Sequence, residues 1–244
     1  MKAMILAAGL GTRLKPFTLH HPKALAVVNG KSLLQRNIEY LQSYGIKEVV
    51  VNVHHYADQI IQAIQENNGW GSTVLISDET DEVLETGGGV LRAQSFFEKE
   101  SSILVMNADI LTTLNLHSFM ETDMCNFAKH PGLIATLAVT DRTSSRNLLF
   151  GDQQQLVGWC NNTTQEFKWV GTSLNEYTPK AFSGIQIIHD NYFKHIKLSG
   201  KFSLIDAYLS FDEAMPIMSY DHSQDILLDV GKPESLEKAT ALFK

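Results

Sequence analysis

The residues best equipped for chemistry gather first in Ala7 to Lys23, AAGLGTRLKPFTLHHPK. Gly9 and Gly11 tolerate positive φ and let a ligand approach the main chain closely. Successive backbone amides in such a turn make an anion cradle, here offered by Ala7, Ala8, Gly9, Gly11 and Thr12. Arg13 and Lys23 add two fixed positive charges to it. Two cations beside one cradle point to a polyphosphate. A second group of interest is Asn107-Ala108-Asp109, which closes an apolar run. A carboxylate there needs a partner, either a helix terminus to cap or a cation to bind.

Three common phosphate motifs do not fit. The dinucleotide fingerprint G-x-G-x-x-G requires glycine where this chain has Leu14, and a kinase glycine loop fails at the same place. A Walker loop ending at Gly30-Lys31-Ser32 would need glycine at Leu25. Those three residues read instead as a turn, with Ser32 capping the following helix.

The elements that must position these groups follow from periodicity. Ala3 to Leu6 reads as a buried strand, and Ser32 to Tyr44 as a helix with Leu33, Leu34, Ile38 and Leu41 on one face. Gly45 supplies the helix stop. Glu48 to Val53 is a β-branched run of the kind covered on both faces. Ala57 to Glu66 reads as a helix and Thr73 to Ser77 as a strand. This βαβαβ order implies a largely parallel sheet, with ligands beyond the carboxyl ends of its strands. At such ends stand His54 and His55, which point opposite ways and so do not chelate jointly. One of the two is expected near the ligand. Glu85-Thr86-Gly87-Gly88-Gly89 reads as a fixed turn before a helix over Val90 to Phe97. Ile103 to Met106 forms the strand ending at Asn107 and Asp109.

Further on, Leu133 to Val139 reads as a strand. A hairpin of Leu148 to Phe150 and Gln155 to Trp159 follows. Asn161 to Tyr177 is polar and irregular, an insertion or lid. Ala181 to Ile188 is a strand, Ser203 to Ser210 a helix, and Ile226 to Gly231 the last strand. Pro233 opens the final helix, Glu234 to Phe243, where proline at the first turn is tolerated.

The stretch GLGTRLKPFTLHHPK resembles the signature of the sugar-1-phosphate nucleotidyltransferases, G-x-G-T-R-[ML]-x-P-x-T-(x)n-P-K, at every key position. ETGGG is most similar to the short uridylyltransferases acting on N-acetylmuramate 1-phosphate. LDVGKPESL resembles the family's closing D-x-G-x-P/H-x-x-L segment. The resemblance covers essentially the whole chain. It implies a three-layer, Rossmann-like α/β fold with a mixed, mostly parallel sheet. It also implies one domain over residues 1–244, with a nucleotide part to about 125 and an acceptor part beyond it, and no C-terminal β-helix.

By the same resemblance Arg13, Lys23, Asp109 and Asp229 are catalytic, and Asp109 and Asp229 hold Mg²⁺, whose hard oxygen preference they suit. Glu85, Thr86, Gly87, Gly88 and Asn107 join the loop in nucleotide binding. Ser183 and Gly184 line the sugar pocket. Many relatives carry a Glu-Lys-Pro whose lysine binds the sugar phosphate. Here Trp159-Cys160-Asn161 stands in that place, and Arg146 and Lys168 are the candidate replacements.

The substrates implied are a nucleoside triphosphate and a sugar 1-phosphate, with UTP and N-acetylmuramate 1-phosphate leading. A mannose-1-phosphate guanylyltransferase, a phosphocholine cytidylyltransferase and a non-catalytic nucleotide-sugar-binding protein are the alternatives. The uridylyltransferase reading places the protein in cell-wall recycling.

Composition bounds these readings. In 244 residues the net charge is -7, which argues against a nucleic-acid surface. Two separated cysteines, Cys125 and Cys160, suit a reducing cytoplasm and no disulfide framework. The N-terminus reads as a strand rather than a signal peptide, and no run approaches the ~20 apolar residues of a membrane span. A monomer or homodimer is expected.

Overall fold

A computed structural model describes residues 1–244. The strands are β1 (Ala3–Leu6), β2 (Val27–Val28), β3 (Lys31–Ser32), β4 (Glu48–Val53), β5 (Thr73–Asp78), β6 (Ser102–Asn107) and β7 (Ile110–Thr112). They continue with β8 (Ala135–Thr140), β9 (Arg146–Phe150), β10 (Leu156–Asn161), β11 (Glu166–Trp169), β12 (Thr178–His189), β13 (Ile217–Asp221) and β14 (Leu227–Asp229). The helices are α1 (Leu33–Ser43), α2 (Ala57–Glu66), α3 (Glu85–Arg92), α4 (Leu116–Lys129), α5 (Asp190–His195), α6 (Leu204–Leu209) and α7 (Pro233–Leu242).

Ten strands form one mixed sheet, in the order β11-β10-β9-β12-β6-β1-β4-β5, with β8 joining β12 to β13. β6, β1, β4 and β5 run parallel. The residues of β6, β1 and β4 are mostly buried because helices cover both faces, while β5 at the edge is half-exposed. α1, α2 and α4 pack on one face through Leu34, Ile38, Ile60 and Phe119. α3, α5 and α6 pack on the other through Val90, Tyr192 and Tyr208. The helix ends obey local rules. The Ser32 hydroxyl accepts from the Gln35 amide at 3.1 Å, and Gly45 takes a left-handed φ of 81° after α1. No helix is long and apolar enough to cross a membrane.

At β12 the sheet turns antiparallel, and only the outer pair β8–β13 is again parallel. This strand has 12 residues and pairs with β9, β8 and β6 in succession. Its register against β8 shifts between Phe182 and Gln186. Gly184 sits inside that shift with a φ of 74°. A bulge of this kind re-aims the backbone, and here it faces the end of β6.

Three expectations are corrected. ETGGG is not a turn before a helix: α3 starts at Glu85 and contains all three glycines, while Ala93–Phe97 is a 3₁₀ continuation. The glycines override helix propensity because they leave room for neighbours. A Cβ on Gly87 would lie 2.5 Å from the Phe202 ring, and one on Gly88 2.3 Å from the Gly200 carbonyl. Residues 161–177 are not wholly irregular, since β11 pairs antiparallel with β10. The last strand does not join the main sheet. β14 instead pairs antiparallel with β7 as a separate ribbon.

Candidate active site

The loop after β1 forms one wall of a cleft of about 580 Å³. Ala7, Ala8, Gly9, Gly11, Thr12 and Lys23 line it. Gly11 is needed for two reasons: its φ is +60°, and a Cβ there would come within 3.0 Å of Lys23 Cβ and Thr18 Cγ2. The Thr18 hydroxyl donates to the Gly11 carbonyl at 3.0 Å and fixes the turn. Nothing lies within 4 Å of a Cβ built on Gly9, so that stretch of backbone faces open space. Ala7 differs from its neighbours, because its N–H is already donated to Asn52 Oδ1 at 2.7 Å. It braces the loop and has no amide to offer a phosphate.

Four charged groups meet at the loop's end. Lys23 is ion-paired with Asp109, and its Nζ is 3.8 Å from Asp229 Oδ1. Arg13 Nη2 lies 4.0 Å from Asp229 Oδ2, and the arginine is mostly exposed. The β7–β14 ribbon makes this meeting possible. Asp229 pairs in register with Ile110, and the Val230 amide donates to the Asp109 carbonyl at 2.8 Å. The two aspartates therefore converge through a side ribbon rather than as ends of neighbouring strands in one sheet.

Asp229 Oδ1 is buried and has no hydrogen-bond partner. A buried carboxylate oxygen without a partner is costly. Two hard carboxylates, one with an unsatisfied oxygen, suit a divalent cation that completes its shell with phosphate oxygens and water. Gly231 keeps the cluster open, since a Cβ there would lie 2.7 Å from Asp229 Oδ1 and 3.2 Å from Arg13 Nη2.

The far end of the cleft holds residues that the sequence motifs do not mark. Asn52, on β4, donates through Nδ2 to Glu79 Oε1 at 2.8 Å while accepting from Ala7. Glu79 is only 1% exposed, and burial raises its carboxyl pKa above the ordinary range, against the opposing Asn52 hydrogen bond. His54 Nδ1 is 2.6 Å from the Glu79 carbonyl and lines the cleft. His55 instead packs at a tilt against Tyr56, with ring centroids 4.0 Å apart. The one signal for this group is an asparagine inside EVVVNV. A polar residue in a fully buried strand must have partners.

Glu85, Thr86, Asn107 and Asp109 line the cleft. Gly87 and Gly88 do not; their amides donate to the Phe202 carbonyl at 2.9 and 3.1 Å and dock α3 on the loop before α6. Ser183 is fully buried, with Oγ 2.7 Å from His222 Nε2. Burial holds the His222 imidazole below its usual pKa, so it stays neutral near neutrality. Gly184 abuts Asn107, whose Nδ2 would lie 2.7 Å from a Cβ at that position. Arg146 lies elsewhere, in a second cavity of about 430 Å³ with Trp159, Lys168 and Phe182.

The overall fold is that of a known structural class. HddC from Yersinia pseudotuberculosis, solved in complex with GMP-PN, superposes with a TM-score of 0.79 at 24% identity, covering 100% of this chain and 99% of that one. A family model described as Nucleotidyl transferase matches residues 2–147, and the chain belongs to that family.

Relatives named N-acetylmuramate alpha-1-phosphate uridylyltransferase are similar over part of the chain. The one from Caulobacter vibrioides is 41% identical over 109 residues, covering 44% of this chain and 45% of that protein. The one from Neisseria meningitidis serogroup B is 36% identical over 122 residues, covering 50% of this chain and 52% of that protein. These matches span about half of each relative. A mannose-1-phosphate guanyltransferase from Debaryomyces hansenii is 25% identical over 100% of this chain and 64% of its own length.

Proposed function

We propose that the protein transfers a uridylyl group from UTP to N-acetylmuramate 1-phosphate, releasing pyrophosphate. The observation that carries the reaction class is the convergence of Arg13, Lys23, Asp109 and Asp229 at the end of a glycine-rich loop. The choice of base and sugar draws on the relatives at 41% and 36% identity.

The reaction needs no general base. A sugar 1-phosphate oxygen is already anionic at neutral pH, and it must be held in line with the α-phosphorus and relieved of charge repulsion. Gly9, Gly11 and Thr12 present loop amides to the triphosphate. Arg13, exposed at the rim, neutralises its β- and γ-phosphates. Lys23, held by Asp109, takes the α-phosphate. Asp109 and Asp229 would hold Mg²⁺, which when bound neutralises phosphate oxygens of both substrates. Glu85, Thr86 and Asn107 border the nucleoside, and the bulge at Ser183 and Gly184 shapes the acceptor side.

The test is pyrophosphate release with Mg²⁺. UTP, GTP, CTP, dTTP and ATP are scanned against N-acetylmuramate, N-acetylglucosamine, glucose and mannose 1-phosphates and phosphocholine. Highest turnover is expected with UTP and N-acetylmuramate 1-phosphate. The guanyltransferase matched across the whole chain favours a second reading, GTP with mannose 1-phosphate, and a preference for that pair would replace the base and sugar assignment. Nucleotide binding without turnover of any pair would remove the catalytic reading.

A further inference from the structure

The second cavity is built from one face of the antiparallel extension. Register places Lys168 of β11 opposite Trp159 of β10, and Arg146 of β9 opposite Asn161. Trp159 and Asn161 are two apart on one strand, so all four share a face. α6 and its cap close the opposite side with Ser203, Ile205 and Asp206. Ser203 lines both this cavity and the main cleft, so the two adjoin there. Phe182, also lining it, directly precedes the bulge that abuts Asn107.

The charges in this cavity are unequal. Lys168 Nζ lies 3.4 Å from Asp206 Oδ1 and 5.3 Å from the centre of the Trp159 ring. The Ser203 hydroxyl donates to Asp206 at 2.6 Å and, with the Lys168 ammonium, holds that carboxyl below its usual range. Lys168 is therefore matched by a carboxylate. Arg146 has no carboxylate within ion-pair distance, and its guanidinium makes no hydrogen bond in the chain. One positive charge is left over, set beside an aromatic face suited to an apolar sugar edge.

We infer that this cavity is the subsite for a carboxylate-bearing substituent of the acceptor sugar, with Arg146 its recognition residue and Lys168 and Trp159 its platform. The inference rests on the nucleotidyl-transfer reading and deepens it. The acceptor's phosphate must reach the α-phosphorus beside Lys23, Asp109 and Asp229, which do not line this cavity. A second anionic site thus calls for a second anionic group on the same acceptor. N-acetylmuramate carries one in its lactyl ether; N-acetylglucosamine lacks it. A planar guanidinium matches a carboxylate with two parallel hydrogen bonds.

The experiment compares kcat/KM for N-acetylmuramate 1-phosphate and N-acetylglucosamine 1-phosphate, with UTP and Mg²⁺, in wild type, Arg146→Ala and Arg146→Lys. Wild type should prefer the acidic sugar. Arg146→Ala should lower that preference about tenfold to a hundredfold, the worth of one charge-assisted pair, and Arg146→Lys should restore part of it. An equal fall for both sugars would assign Arg146 to the shared phosphate and overturn the inference. Wild-type turnover of neutral sugars without preference for the acidic one would overturn it while leaving nucleotidyl transfer standing. Failure to turn over any 1-phosphate would overturn both. Arg146 is exposed, so neither variant should disturb folding.

Discussion

The cleft and the second cavity that adjoins it are built by different means. The loop side is local: a glycine turn, its cations and its bracing asparagine hang on the parallel strands β1 and β4. The second cavity, which we assign to the acceptor, is assembled from side chains on β9, β10, β11, β12 and α6, brought together by antiparallel pairing and by a bulge. Backbone recognition of phosphate constrains sequence tightly, because the glycines and spacing must persist. Side-chain recognition leaves the backbone alone and lets residues change. The family model matches residues 2–147, which take in the loop and reach only the start of β9.

Variants can break this contrast. The largest effect is expected from Lys23→Ala. Losing a charge aimed at the transferred phosphoryl group should cost roughly 10² or more in turnover, about 3 kcal/mol, and equally for every acceptor. Pyrophosphate release, with circular dichroism to check folding, would measure it. Near-full activity in a folded variant would end the assignment. Gly231→Ala should come next. Its Cβ would press on Asp229 Oδ1 at 2.7 Å, and the displaced carboxylate should lower turnover about tenfold, within the range for small misplacements. A raised Mg²⁺ requirement would place the damage at the carboxylate pair, and an unaltered Mg²⁺ titration would not.

The smallest effect concerns stability and contrasts two carboxyls whose shifts have opposite sign. Glu79 has a folded pKa raised by burial. Its protonated form is the one the fold favours, so this contribution is complete below the ordinary value of 4.5 and fades as pH rises through the folded pKa. Asp206 is depressed, so its contribution is present above 3.8 and is lost as pH falls through the folded pKa. Denaturant midpoints across this range should show wild type losing ground to Glu79→Gln as pH rises. The same series should show it losing ground to Asp206→Asn as pH falls. Parallel curves for Glu79→Gln would mean that the carboxyl is solvated after all.

Much of the loop side is legible in the amino-acid sequence. β1, α1, β4 and α2 announce themselves by unbroken periodicity, and the loop by fixed identities at fixed spacing. Its hidden member is Glu79, one acid among several in DETDE, whose burial depends on Asn52 from another strand. The three glycines of α3 mislead because propensity describes an isolated helix, whereas here the fit of Phe202, Gly200 and Glu79 against bare Cα atoms decides. On the acceptor side, Arg146 and Lys168 are visible as spare cations. Their shared face is not, because it depends on the pairing of β11, a strand of four residues in a polar stretch. The meeting of Asp109 and Asp229 is foreseeable, but the route through β7 and β14 is not.

That route has a bearing on synthesis. The ribbon draws its second strand from Leu227 to Asp229, long after the phosphate loop has been laid down. A growing chain therefore carries the loop, Lys23 and Asp109 well before the last carboxylate emerges. Until β14 docks on β7, Lys23 and Arg13 lack Asp229. The fold thus ties completion of the charge cluster to the emergence of β14, and a chain interrupted before Leu227 would carry Lys23 and Arg13 without the carboxylate they share.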